Sequence, residues 1–157
     1  MSSRADKLAK LRGLTGREQR ILFLALVSMP AIALGLRLFG LRRVQSALAR
    51  SESTTEIEAD TGLASFRAAG TARLVAAAAR HGPYRASCLP VALALGWLRR
   101  QQGIRTDLRL GVRKVAARLE AHAWIEHQGM PLIDTPEVHE RFAAFDQVVA
   151  PGKMTSA

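Results

Sequence analysis

Apolar positions recur with two different periods along the 157-residue chain. Up to residue 100 they recur every three to four positions, which indicates helices. Over residues 106–112 they alternate with polar positions, which indicates a half-buried strand, and residues 120–127 and 130–134 are interpreted as two further strands. Helices followed by strands predict an α+β fold, in which N-terminal helices and a cysteine-bearing helix pack on a small antiparallel sheet.

The first helical region begins at a capping box, with Thr15 at the N-cap and Glu18 three residues later. It enters an uncharged run over residues 21–36, which Pro30 is expected to divide into two helices, the second over residues 31–49. Sixteen residues are fewer than the roughly 17–25 that a spanning helix needs. We interpret the run as buried helices on the domain core, with association at a membrane surface as the alternative.

An acidic segment separates the two parts of the chain. Residues 51–60 carry four acidic side chains and no basic one, which is typical of a solvated linker or an exposed helix start. The predicted organisation is a basic, hydrophobic helical segment over residues 1–60, a domain over residues 61–150 and a tail over residues 151–157. The domain should open with a helix over residues 61–80, which the His-Gly-Pro sequence at residues 81–83 ends.

The next helix carries the single cysteine, Cys88, in its first turn. Ser87 is the predicted N-cap, Pro90 suits the first turn, and Gly103 follows the helix end. A thiol at a helix N-terminus lies at the positive end of the macrodipole, which favours the nucleophilic thiolate. The alternative is a buried structural cysteine, since free cysteine is among the most buried residue types.

Composition narrows the function classes. One cysteine excludes an intramolecular disulfide and a cysteine-based zinc site, and it favours a reducing compartment. The net charge of +10 is concentrated in residues 1–50, which carry +8. That charge suits nucleic acid, an anionic membrane surface or an acidic partner, and the scarcity of aromatic residues argues against nucleic-acid binding by stacking. The alternative is a plain solvated basic face. The sequence has no glycine-rich phosphate loop and no metal-ligand spacing, so no cofactor is expected.

A cysteine nucleophile needs a base and a group that orients the base. His122 is the natural base, and a period of two puts it on the same face of its strand as Trp124 and Glu126. Asp134 on the next predicted strand is the natural orienter. A three-residue hairpin loop over residues 127–129 would place Asp134 directly opposite His122, whereas a two-residue loop would place it opposite Ala123. We predict the three-residue loop, because Gly129 suits its left-handed last position, and a contact between His122 and Asp134. The alternative is a half-buried histidine and an aspartate that starts a turn. Residues 137–145 are predicted to form one more helix.

Three stretches of the sequence, taken in this order, match the pattern of one known family: SCLPVALALGWLRRQQGI, LRLGVRK and EAHAWIEHQGMPLIDTPEVHERF. Together they resemble the leader peptidase, or B protein, of lasso-peptide biosynthesis, a family within the transglutaminase-like cysteine proteases with a papain-like arrangement. The resemblance covers roughly residues 80–145. It implies that Cys88 is the nucleophile, His122 the general base and later acid, and Asp134 the orienter of the imidazole.

The resemblance also implies partners and a location. Residues 1–60 lack the winged-helix-like strands of a fused leader-recognition domain, so the chain resembles the stand-alone peptidase. Such a peptidase would act in the cytoplasm on a lasso precursor peptide, with a separate leader-recognition protein and, as a further candidate, the macrocyclising enzyme. Two alternatives stay open: acyl transfer to an amine on the same fold, and a non-catalytic scaffold at the membrane surface that uses residues 1–50.

Overall fold

The computed structural model describes residues 13–51 and 62–145, and residues 62–68 only as helical backbone. The predictions for residues 1–12, most of the acidic boundary segment and the C-terminal tail lie outside these described residues. Within them, three long helices precede a curled, four-stranded antiparallel sheet. The α+β class that the sequence predicted is therefore confirmed.

The first helix, α1, spans Gly16–Arg50 and begins with the predicted capping box. The backbone N–H of Glu18 donates to the Thr15 hydroxyl at 3.3 Å, and the backbone N–H of Thr15 donates to the Glu18 carboxylate at 2.8 Å. The two bonds satisfy donors that the helix itself cannot pair. Hydrogen bonds from the Thr15 backbone and hydroxyl hold the pKa of Glu18 below its usual value.

The break in α1 lies at Gly40 and not at Pro30, so the prediction that Pro30 divides the helix is wrong. Gly40 has φ 77° and ψ 170°, a conformation that is essentially restricted to glycine. Pro30 costs a helix about 3 kcal/mol, but buried residues on both sides of it pack on the core and keep the helix continuous. A Cβ atom on Gly35 would lie 3.1 Å from Val44 Cγ2, so the segment after Gly40 folds back along the first.

Helix α1 buries one face, as expected for a helix on the domain core, and exposes the other. The buried residues recur at intervals of three or four: Ile21, Ala25, Met29 and Ile32. They share one hydrophobic core with the second helix, α2, which spans Gly62–His81, and the third helix, α3, which spans Cys88–Arg100. Helix α3 is buried on most of its circumference, because α1 and α2 cover one side and the sheet covers the other.

The sheet has the strand order β3-β2-β1-β4. Strand β1 spans Asp107–Val115 and β2 spans Arg118–His127, and they pair from Asp107↔Glu126 to Val115↔Arg118. Both strands extend beyond their predicted limits into the expected connection at residues 113–119, which shrinks to a tight turn with φ 53° at Ala116. Alternate residues face α3, and those between them face a smaller cluster formed by Trp124, Val138 and Phe142.

The end of the described chain departs from the prediction in two places. Strand β3 is limited to Met130–Pro131 and does not reach Asp134. The predicted helix at residues 137–145 is a single turn, α4, which spans Val138–Arg141. The chain then forms β4, Ala143–Ala144, which adds to the free side of β1. Backbone groups on the outer side of β1 gain partners from this pairing, which local helix propensity cannot foresee.

Candidate active site

Cys88 is the first residue of α3, and its side chain is half-buried. Ser87 occupies the N-cap position with extended backbone, as predicted, yet its hydroxyl makes no capping hydrogen bond. The first-turn N–H groups of α3 are therefore left without a side-chain cap. A helix start of this kind can direct N–H donors, that of Cys88 included, towards negative charge on a bound molecule.

The His122 ring stacks against two aromatic side chains on the face of β2 that points away from α3. Its centroid is 4.9 Å from that of Phe142 and 6.0 Å from that of Trp124, and both pairs are stacked. Gly111 lies opposite His122 on β1, and a Cβ atom there would lie 3.0 Å from the Trp124 ring. The missing side chain of Gly111 thus leaves room for the indole, which in turn fixes one side of the imidazole.

A hydrogen bond of 2.9 Å joins His122 Nε2 to Asp134 Oδ1. The sequence predicted this contact, but the three-residue hairpin loop on which that prediction depended is wrong. The hairpin loop has two residues, Gln128 and Gly129, both with positive φ, and it pairs His127 with Met130. Continued as a strand, that register would place Asp134 opposite Ala123, on the wrong face.

The contact forms because the chain leaves the ladder after β3. The Leu132 N–H still donates to the Ile125 carbonyl at 3.0 Å, in register, and residues 132–134 then bend. The bend frees Asp134 from the alternation of the sheet and carries its carboxylate to His122. Both side chains keep contact with solvent, being 24% and 29% exposed.

A buried carboxylate, Glu126, supports the same face of the sheet. It accepts a hydrogen bond of 2.7 Å from Trp124 Nε1 and one of 3.1 Å from Arg109 Nε, and His139 Nε2 lies 3.5 Å from it. The sequence placed Glu126 on the face of His122 without assigning it a role. An acidic residue that directly follows apolar residues in a strand, as Glu126 follows Trp124 and Ile125, is the signal that points to a paired, buried carboxylate.

Helix α3 and strand β2 run in the same direction. The Ile104 N–H donates to the Arg99 carbonyl, and Thr106 Oγ1 would lie 3.7 Å from a Cβ atom on Gly96, so the chain reverses after α3 and enters β1 antiparallel to it. Strand β2 is antiparallel to β1 and therefore parallel to α3.

This direction places Cys88 and His122 at the same end of the domain. A Cβ atom on Gly96 would lie 3.1 Å from Ile125 Cδ1, which fixes one level of the helix against the strand. Cys88 precedes Gly96 by about 12 Å of helix, and His122 precedes Ile125 by about 10 Å of strand.

The two residues nevertheless belong to different sides of the sheet. Cys88 packs with the core that contains Ile125, whereas His122 points to the opposite face. Among residues 13–51 and 69–145, the Cys88 thiol has no hydrogen-bond partner. The described β3 pairs with Glu126 and His127, so no described strand pairs with the β2 edge beside His122, which is called the open edge below.

The described part of the chain holds no group of three or more histidine, cysteine, aspartate or glutamate side chains that could bind a metal ion. The described residues include a thiol at a helix start and a histidine–carboxylate pair on the adjoining sheet. These are the residue types that cysteine-dependent acyl-transfer enzymes use.

Comparison with known proteins gives the same class. A family model described as the transglutaminase-like superfamily matches residues 26–145, a range that includes Cys88, His122 and Asp134. The chain belongs to the transglutaminase-like superfamily, whose members are typically enzymes that act as cysteine proteases or acyltransferases. No curated protein and no solved structure gives a significant match. The matched range begins inside α1, in agreement with the core that α1 shares with α2 and α3.

Proposed function

We propose that this chain is a cysteine peptidase that removes the leader from a ribosomally made lasso-peptide precursor. Cys88 is the nucleophile, His122 the general base and acid, and Asp134 the residue that orients the imidazole. The observation that carries the proposal is the 2.9 Å bond between His122 and Asp134 within the superfamily match. The lasso substrate itself rests on the resemblance of residues 80–145 to the B proteins.

The bond to Asp134 decides which ring nitrogen exchanges protons with the substrate. Because Asp134 occupies Nε2, Nδ1 is the nitrogen that remains for the Cys88 thiol. The Cys88 proton passes to Nδ1, and the sulfur attacks the carbonyl carbon at the leader–core junction. The peptide C–N bond then breaks, the leaving amine takes the proton from Nδ1, and a thioester remains on Cys88.

Water completes the reaction. It loses a proton to His122 and attacks the thioester carbon, the C–S bond breaks, and the sulfur recovers the proton. In both steps negative charge develops on the carbonyl oxygen and needs a hydrogen-bond donor. The backbone N–H of Cys88, at the uncapped start of α3, is the donor we assign.

Catalysis requires the thiol and the imidazole to meet at the open edge of β2. Catalytic hydrogen bonds are often long in free enzymes and shorten only when substrate binds. A peptide that adds to the β2 edge would bring its scissile carbonyl between α3 and His122. We therefore expect the leader, or the leader-recognition protein that presents it, to promote this contact.

The experiment that tests the proposal is mass spectrometry of a lasso precursor incubated with this protein and its leader-recognition protein. We expect wild type to cleave at one junction, and Cys88→Ala and His122→Ala to be inactive. Ser87→Ala is the matched control, because its hydroxyl makes no capping bond. Cleavage by Cys88→Ala would refute the mechanism.

The superfamily also contains acyltransferases, which use an amine in place of water. The acyl acceptor distinguishes the two reactions, because both pass through the same thioester on Cys88. If an added peptide amine yields an amide in preference to the free carboxylate that water yields, the reaction is transfer to an amine instead of hydrolysis. Retained binding of the leader-recognition protein without turnover by wild type would support the non-catalytic scaffold.

A further inference from the structure

We propose that the outward face of α1 docks on the surface of an anionic lipid bilayer. Four large apolar side chains on this face are each more than half exposed: Phe23, Val27, Leu34 and Leu38. With 3.6 residues per turn they form one stripe, which is about 22 Å long and lies on the side of the helix opposite to its buried residues. Below, these four residues are called the α1 stripe.

Charge complementarity selects the bilayer as the occupant. Residues 21–36 carry no charged side chain, so the stripe has none of the alternating charges typical of a helix that faces water. Exposed arginines stand near both of its ends, with Arg17 and Arg20 before Phe23 and Arg37 next to Leu38. The described part of α1 contains one acidic side chain, Glu18, which the cap already engages.

This distribution matches an interfacial helix and not a spanning one. By length and composition alone α1 could cross a membrane. However, the 17% of its most apolar stretch that is buried belongs to the face that packs on α2 and α3. A spanning position would place that protein core in hydrocarbon. In the interfacial position, the α1 stripe enters the boundary of the acyl chains and the arginines reach lipid phosphates.

The experiment is flotation of the full chain with two kinds of vesicle, phosphatidylcholine alone and phosphatidylcholine with about one third phosphatidylglycerol. We expect wild type to float with the anionic vesicles, and binding to fall as salt rises. The triple variant Phe23→Gln, Val27→Gln, Leu34→Gln should bind at least about tenfold more weakly. Loss of Arg20 or Arg37 to glutamine should weaken binding about fivefold each.

The matched control removes exposed apolar side chains elsewhere. Leu119 and Met130 lie on the sheet, and each is more than half exposed. The double variant Leu119→Gln, Met130→Gln should therefore bind the anionic vesicles as wild type does. Cys88→Ala should also bind normally, which separates this inference from the proposed peptidase activity.

Three results would overturn the proposal. They are wild type that does not float with anionic vesicles, binding that is equal on neutral vesicles and insensitive to salt, and a control variant that loses as much binding as the triple variant. Light scattering that shows a dimer dissociated by the triple variant, without vesicle binding, would assign the α1 stripe to a second copy of the chain. If the triple variant does not fold, the wild-type comparison of vesicles and salt decides alone.

Discussion

Replacing Asp134 by asparagine isolates the charge that is expected to stabilise protonated His122. Asparagine keeps the shape of aspartate and still offers an oxygen to Nε2, but it removes the negative charge. At 2.9 Å, two unit charges attract each other by about 1.4 kcal/mol in water and about 6 kcal/mol at an effective dielectric constant of 20. Because about a quarter of each side chain is exposed, we place the lost stabilisation near the lower limit, at about 2 kcal/mol.

A loss of about 2 kcal/mol in the transition state corresponds to a fall of about 30-fold in kcat/KM. The assay is the initial rate of leader cleavage with saturating leader-recognition protein, for wild type and Asp134→Asn. The matched control is Asp107→Asn, an exposed aspartate at the start of β1. A thermal melt should show little change for either variant, because the His122–Asp134 pair is partly exposed. A rate for Asp134→Asn within twofold of wild type would refute the reasoning.

Three further predictions concern stability. Glu126→Ala should lower the free energy of unfolding by about 3 kcal/mol and Tm by about 6–12 °C in calorimetry, because it leaves the buried Trp124 N–H without its acceptor. Arg99 is buried and its guanidinium has no hydrogen-bond partner among the described residues. Burial lowers the pKa of Arg99 to about 10, so its charge destabilises the fold at every pH below that value. Arg99→Met should therefore raise the denaturation midpoint, by an amount that corresponds to about 1–3 kcal/mol in the free energy of unfolding. The pKa of Glu18 is lowered in the fold, so the stability it contributes is present above about pH 4.5 and is lost as pH falls through the lowered pKa. The difference in Tm between acid and neutral pH should therefore be smaller in Thr15→Ala than in wild type.

Each of these has an outcome that contradicts it. An unchanged Tm for Glu126→Ala would mean that water replaces the carboxylate at no cost. A lower midpoint for Arg99→Met would mean that the guanidinium has a stabilising partner in solution. An equal loss of stability in acid for wild type and Thr15→Ala would show that the capping box does not couple Glu18 to folding.

Local chemistry in the sequence determined the two helix starts and the elements that carry the site. The capping box at Thr15 and the start of α3 at Cys88 depend on a few neighbouring residues, and the structure contains both. The alternation of apolar and polar residues likewise placed His122 on a strand, on the face of Trp124. Such features follow from helix capping and from the period of two, which act within one turn or one strand.

Tertiary structure decided what depends on distant partners. Helix α1 continues through Pro30, because packing on α2 and α3 outweighs a local penalty, and it breaks at Gly40, where only glycine fits. Asp134 reaches His122 through a bend after β3, although the two-residue loop would have put it on the other face. The register of a paired strand decides to which of two faces each side chain points, but a residue in a bend outside the paired strands is not restricted in this way. The sequence by itself therefore determined which residues are available for the chemistry, and the packed chain decided which of them meet.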